Sequence, residues 1–295
     1  MYDLVFKNQF GYYELKKQMS EVERNEFYSN KYFQNSQVYT KQYSDEEIKY
    51  FNIKLEEKKY VVDQLREEFK TVEKRKEFLD IGCGEGFALK YFNDKGYNVT
   101  GIDYSSYGCN QHNPDMCNRI LFGNINEKLD KLIRKNYKFD IINLDNVLEH
   151  LFEPALTLEK CKQVSDDNTI LCIKVPNDFS AVQEYLYNNR FVDSPYWVAM
   201  PDHISYFNKD GLMELTKSKG WTGVKFLCDT PIDFNLLNDN VNYIKNKTVG
   251  KSCYKAKIKI ENLLHEISID EVINLYEIMS NMGIGREIIG YFKLS

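Results

Sequence analysis

Phe78-Leu79-Asp80-Ile81-Gly82-Cys83-Gly84-Glu85-Gly86, followed by Val99-Thr100-Gly101-Ile102-Asp103, is the stretch that decides the fold. The first segment reads as a buried strand that turns on glycines into a helix. The second reads as a strand ending on a carboxylate. Glycine lets a backbone approach a ligand closely, and the N-terminus of the following helix presents unpaired N–H groups. A carboxylate at the tip of the next strand can accept both hydroxyls of a ribose. Together these features predict a nucleoside pocket at the carboxyl edge of a parallel sheet.

The glycine spacing narrows the ligand. A dinucleotide fingerprint is G-x-G-x-x-G, with a pyrophosphate on the helix N-terminus. Here the glycines are Gly82, Gly84 and Gly86, with Asp80 ahead of them. An acid in that place repels a pyrophosphate and suits a ligand with an ammonium group. The loop, the preceding acid and the strand-end Asp103 resemble motif I and the ribose-binding acid of the class I S-adenosylmethionine (SAM)-dependent methyltransferases. A nicotinamide dehydrogenase is disfavoured by the same spacing.

Outward from that core, strand and helix patterns alternate. Strands are predicted at 77–81, 98–102, 119–122, 139–144, 169–175 and 222–228, and helices near 88–92, 126–135, 154–164 and 208–220. Residues 103–118 read as polar and irregular. Residues 287–292 read as a seventh strand, after two helices within 234–284. This rhythm predicts an α/β fold: a Rossmann-like, seven-stranded, mostly parallel sheet with helices on both faces. Ahead of it, Ile48, Phe51, Leu55, Val62, Leu65 and Phe69 mark one face of an amphipathic helix over 46–70. The expected organisation is an aromatic-rich helical extension or lid over 1–75, a SAM-binding domain over 76–233, and a helical insertion with the final strand over 234–295. Tyr12, Tyr13, Phe27, Tyr28 and Tyr32 are the aromatics expected to close over the ligand.

Composition bounds the partners. With 295 residues and 43% hydrophobic content, the chain can bury a sizeable core. A net charge of −5 argues against a nucleic-acid partner. Apolar runs are strand-sized and the start lacks a signal-peptide pattern, so a cytoplasmic location without membrane insertion is expected. Scattered cysteines fit reduced thiols. Cys109, His112 and Cys117 lack a fourth ligand and match no common zinc spacing, so no metal is expected.

The resemblance extends to Leu144-Asp145-Asn146-Val147-Leu148-Glu149-His150, Pro201-Asp202-His203-Ile204-Ser205-Tyr206-Phe207, Pro231-Ile232-Asp233-Phe234-Asn235 and Gly283-Ile284-Gly285-Arg286. In these the chain is similar to bacterial methyltransferases of surface-carbohydrate (capsule or lipopolysaccharide) and small-molecule biosynthesis. The resemblance implies SAM as cofactor and S-adenosylhomocysteine as product. It places Gly82, Cys83 and Gly84 along the methionine moiety, with Gly86 completing the loop and Asp80 near the ammonium. Asp103 would hold the ribose, with Tyr104 on the adenine. Asn124 and Ile125 would follow the third strand beside the adenine, and Asp145 would stand at the mouth facing the acceptor. His203 is the favoured catalytic base, with His150 the second candidate or else a structural residue. Tyr206, Asn235, Asn240 and Arg286 are the acceptor-side candidates. The Arg286 fork suits an anion, and a structural salt bridge is an equal reading. The implied activity is O-methylation of a sugar, or of a phosphorylated, phosphoramidate or nucleotide-linked small molecule. N- or C-methylation of a metabolite, or a non-catalytic SAM-binding subunit, are the rivals. Acceptor identity and oligomeric state stay open.

Overall fold

The computed structural model describes residues 2–17, 42–71 and 75–295. Phe27, Tyr28 and Tyr32 of the expected lid lie outside them.

The described chain begins with strands β1 (Val5–Lys7) and β2 (Tyr13–Leu15). Helix α1 (Asp45–Glu68) follows, started by a capping box in which Ser44 and Glu47 satisfy each other's backbone N–H. Then come β3 (Glu77–Ile81), α2 (Phe87–Asp94), β4 (Asn98–Asp103), α3 (Tyr107–His112), β5 (Ile120–Phe122), α4 (Ile125–Arg134) and β6 (Ile141–Asp145). The second half holds α5 (Pro154–Gln163), β7 (Ile170–Pro176), α6 (Ala181–Asn188), β8 (Ser205–Tyr206), α7 (Lys209–Ser218) and β9 (Trp221–Leu227). Helices α8 (Gly250–Ile267) and α9 (Ile269–Asn281) and strand β10 (Glu287–Leu294) follow.

Seven strands form one sheet in the order β5-β4-β3-β6-β7-β10-β9. The first five are parallel, while β10 runs antiparallel to both β7 and β9. Alternating side chains serve the two faces, as strand geometry requires. Leu79, Ile81, Ile142, Leu144 and Ile173 pack with Leu129, Leu158 and Leu215 of α4, α5 and α7. Phe78, Val99, Ile141, Cys172 and Tyr291 pack with Val61, Val62 and Leu65 of α1, Phe92 of α2 and Ile273 of α9. Both faces are covered, so the central strands carry nearly continuous apolar runs. Strand order reverses between β3 and β6, and ligands in such sheets bind outside the carboxyl ends at that switch point.

Three local features differ from the sequence expectation. The stretch 103–118 is ordered as α3 and a 3₁₀ turn over Pro114–Arg119. Helix α6, unmarked by any long apolar period, is set by a second capping box, Ser180 with Gln183. The expected helical lid is, over residues 5–15, a hairpin that pairs with β8 in a separate three-stranded sheet. Tyr12 packs on Phe207 with ring centroids 4.5 Å apart, and Tyr13 stacks on Phe179 at 4.0 Å. Tyr12 therefore braces the segment leading into α7, and Tyr13 the segment leading into α6.

Candidate active site

Asp80 of β3 lies opposite Asn143 of β6 in register, and the Asn143 amide donates to its carboxylate at 2.7 Å. The chain then turns on glycines in the left-handed region, with φ of +72° at Gly82, +50° at Gly84 and +79° at Gly86. A Cβ on Gly82 would stand 2.4 Å from Val147, so this position also needs the missing side chain for close packing. A Cβ on Gly84 would meet nothing within 4 Å. That open backbone is where a ligand can lie against the loop.

Asp103 ends β4 beside the turn. Its carboxylate accepts the backbone N–H of Gly84 at 2.8 Å and of Ser105 at 2.9 Å. Each oxygen retains a lone pair for a hydroxyl. Tyr104, next in the chain, exposes its ring.

A cavity of about 460 Å³ opens between this loop, α1, α8 and β10, and Asp80, Gly82, Cys83 and Asp145 line it. Burial pushes Asp80 up to about 7, against the Asn143 amide and the Lys58 ammonium. Burial also raises the Cys83 thiol well above its ordinary value. Lys58 of α1 donates to Asn143 and to Asp145, the latter at 2.6 and 2.7 Å. Burial opposes ionisation of Asp145, but Lys58 and Lys174 outweigh it and hold the carboxyl below its usual range.

These lysines were not among the residues marked by the sequence. Leu55, Lys58, Val62 and Leu65 share one helical stripe, so Lys58 stands at a position that periodicity assigns to the core. A charge there is the signal for a buried polar partner. The same helix sends Lys54 to Glu57 at 2.7 Å and Glu261 at 3.6 Å, and Glu57 meets His265 Nε2 at 2.7 Å.

This network makes a prediction for acid stability. Burial disfavours the Glu261 carboxylate, yet Lys54, the Tyr276 hydroxyl and Lys257 hold its carboxyl down at about 2. A depressed folded-state value stabilises the fold above the unfolded carboxyl value of about 4.3. That stability is lost as pH falls from there toward 2. Thermal melts of the wild type should therefore fall over this window more steeply than those of Glu261→Gln. Parallel melting curves would remove Glu261 as the source.

After β6, Val147 rests on Gly82, and a 3₁₀ turn, Leu148–His150, carries Glu149 and His150. The Ile204 N–H donates to the Glu149 carbonyl at 2.9 Å, which ties the 191–204 loop to this turn. His203 and His150 meet edge to face, centroids 4.8 Å apart and planes at 85°. His150 Nδ1 lies 2.8 Å from the carbonyl oxygen of Asp202. Glu149 is buried, which pushes its carboxyl up to about 8.

The remaining candidates make contacts within the protein, and for Arg286 these are the structural salt bridge that the sequence leaves as an equal reading. Tyr206 is fully buried and its hydroxyl donates to the His203 carbonyl at 3.0 Å, so it supports His203 from behind. Arg286 points its fork at Asp178, 3.4 Å away, and lies over the Tyr196 ring, an internal pairing that occupies the anion-binding geometry. The Asn124 side-chain oxygen Oδ1 caps α4 by accepting from the Asn126 and Glu127 N–H groups, which spends the acceptor intended for adenine. Ile125 is buried beneath that cap. Asn235 donates to the Ile232 carbonyl within its own turn, and Asn240 stands exposed with its N–H on Asn238. Neither lines the cavity. His112 sits 3.4 Å from Glu85, while Cys109 donates to the Asn113 carbonyl and Cys117 to Asn110.

The open face of Gly84, the ribose-competent carboxylate of Asp103 and the acids at Asp80 and Asp145 fit a phosphate-free nucleoside with a cationic tail. The family model described as a methyltransferase domain matches residues 54–225. A ubiquinone biosynthesis O-methyltransferase of Glaesserella parasuis serovar 5 (strain SH0165) is 32% identical over 108 residues, covering 35% of this chain and 46% of the relative. The chain thus spans about half the length of that curated relative. Among solved structures, the plantazolicin methyltransferase BamL, in complex with a triazolic desmethylPZN analog and SAH, aligns over 92% of this chain and 90% of its own, with TM-score 0.50 and 12% identity. A SAM-dependent methyltransferase from Archaeoglobus fulgidus aligns over 80% of this chain and 93% of its own, with TM-score 0.47 and 17% identity. At 12% identity the BamL alignment speaks to the fold alone, whereas the family model covers more than half of the sequence. The chain belongs to the methyltransferase-domain family.

Proposed function

We propose that the enzyme methylates a hydroxyl of a small anionic acceptor, with His203 as the base that takes the hydroxyl proton. The observation that carries this reading is the His150/His203 pair, formed where the turn after β6, whose Val147 rests on Gly82, meets the loop before β8. SAM, when bound, supplies an electrophilic methyl group on a sulfonium. Asp103 would hold the ribose, Tyr104 the adenine face, and the Gly82–Gly84 backbone with Asp80 the methionine tail, with Asp145 at the mouth facing the acceptor. Holding the acceptor in line with the methyl group can account for roughly 7–11 kcal/mol of the barrier. A hydroxyl is protonated at neutral pH, and a positioned base contributes roughly 10²–10⁴-fold.

The acceptor class rests on the resemblance of the outer segments to surface-carbohydrate enzymes. It is a sugar, or a nucleotide-linked, phosphorylated or phosphoramidate small molecule made in the cytoplasm for a capsular polysaccharide. The test is release of S-adenosylhomocysteine with matched hydroxyl and deoxy acceptors of that class. Release with the hydroxyl compounds alone is expected. Turnover confined to amine or carbon acceptors would replace this reading with N- or C-methylation.

Cofactor contact is tested separately. Asp103→Ala removes a charged acceptor and orphans the Gly84 and Ser105 N–H groups. Calorimetry should show SAM binding weakened by roughly 1.5–3 kcal/mol. Unchanged affinity would move the ribose elsewhere.

A further inference from the structure

Glu149, His150 and His203 each bring a ligating atom to one place, all within 4.8 Å of one another. They come from two different segments, the turn after β6 and the loop before β8. Two imidazoles and one carboxylate are the donor set of divalent transition-metal centres.

The hydrogen bonding prepares these groups for an ion. A carbonyl oxygen only accepts, so His150 Nδ1, 2.8 Å from the Asp202 carbonyl, carries the proton. The lone pair of the neutral ring is then on Nε2, which faces Glu149 Oε1 at 3.8 Å. A metal-bound histidine is oriented in this way, its second nitrogen donating to a backbone carbonyl. Glu149 is 1% exposed, and its Oε2 has no hydrogen-bond partner among the described residues. A buried carboxyl oxygen without a partner is costly to keep, and an ion would satisfy it. Ligands on one ion at about 2.1 Å stand roughly 3–3.5 Å apart. The widest of the three separations, up to 4.8 Å, therefore needs to close by roughly 1.3–1.8 Å, and His150 and His203 are only partly buried.

We propose that Glu149, His150 and His203 form a binding site for one divalent transition-metal ion such as Zn²⁺, and that occupancy switches methyl transfer off. The second half rests on the assignment of His203 as base, because a nitrogen bound to an ion cannot take a proton. The first half stands without that assignment. The ion is bound by donation of two imidazole lone pairs and a carboxylate, which releases any proton carried by Glu149.

The test uses the full chain, metal-free, titrated with Zn²⁺ against a chromophoric chelator, and with Co²⁺ followed by its visible spectrum. One equivalent of Zn²⁺ should bind. His150→Ala, His203→Ala and Glu149→Gln should each weaken binding roughly 100-fold or more, or 2.7 kcal/mol or more. SAM affinity measured on the same samples shows that the variants are folded. Failure of the wild type to bind a stoichiometric ion, or equal binding by folded variants, overturns the site. Turnover should fall on Zn²⁺ loading and return with chelator. Full turnover with the ion bound would overturn the switch, and turnover that rises would also remove His203 as the base. Absence of any hydroxyl acceptor would defeat the proposed reaction while the Zn²⁺ titration still reads the site.

Discussion

His203→Ala keeps its affinity for SAM and loses roughly 10²–10⁴-fold in kcat. The expectation follows from how the loop is held. The His203 N–H donates to the Ala199 carbonyl at 2.9 Å, and the Tyr206 hydroxyl grips the His203 carbonyl at 3.0 Å. The neighbouring Ile204 N–H is fixed on Glu149. All three contacts use backbone, so deleting the imidazole leaves the loop in place. Gly84 on the turn after β3 and Asp103 at the end of β4 belong to other segments, and calorimetry should find them undisturbed. Tyr206→Phe removes only one support of His203 and should lower kcat by a smaller factor. Near-normal kcat in His203→Ala would leave His150 as the base or an acceptor that needs none. The double variant His150→Ala/His203→Ala separates these, since only an acceptor that needs no base still turns over.

Asp229→Ala loses about 3–5 kcal/mol of folding stability, the range found when one partner of a buried ion pair is removed. Asp229 is fully buried where β9 ends and β10 begins. One carboxylate oxygen accepts the Arg286 and Glu287 N–H groups at 2.8 and 2.9 Å, and the other binds Lys257. Burial alone would depress the Lys257 ammonium, but the Asp229 carboxylate beside it holds its pKa above the ordinary value. Alanine leaves that cation and two backbone donors without their acceptor. For a chain of this size the loss lowers Tm by roughly 10 °C. Asp229→Ala/Lys257→Met, with no stranded charge, should recover part of it. A change below about 1 kcal/mol for the single variant would show that water reaches Lys257.

The nucleoside half of the site was legible because it is local. Asp80, the three glycines and Asp103 fall within 24 residues, and each type is dictated by its own turn or strand end. The seven-stranded sheet was legible for the same reason, since strand and helix periods are short-range patterns. The hairpin at residues 5–15 was not, because three-residue strands carry too little alternation to register. Tyr206 and Arg286 are acceptor-side candidates through the resemblance alone, and no local pattern shows that packing turns the Tyr206 hydroxyl onto backbone or that Arg286 takes the structural salt bridge, its equal reading, with Asp178. The charged cavity wall depends on pairings across the whole chain. Lys58 finds Asp145 87 residues away and Glu57 finds His265 208 residues away, and no local period encodes either.

Those separations also bear on the order of events in folding. Bringing Glu57 to His265 closes a loop of 208 residues. The entropy of closure must be met before the contact returns anything, so pairings of this span form after the local βα units. Until α1 and α8 meet, the acids and lysines around the cavity stay hydrated, and the pocket wall is assembled in the final stage. Substitutions in this wall should then accelerate unfolding and leave the refolding rate nearly constant, a division that stopped-flow traces resolve directly. The cleft wall is thus expected to mature late, with the other pairings of long span such as Tyr13 with Tyr206.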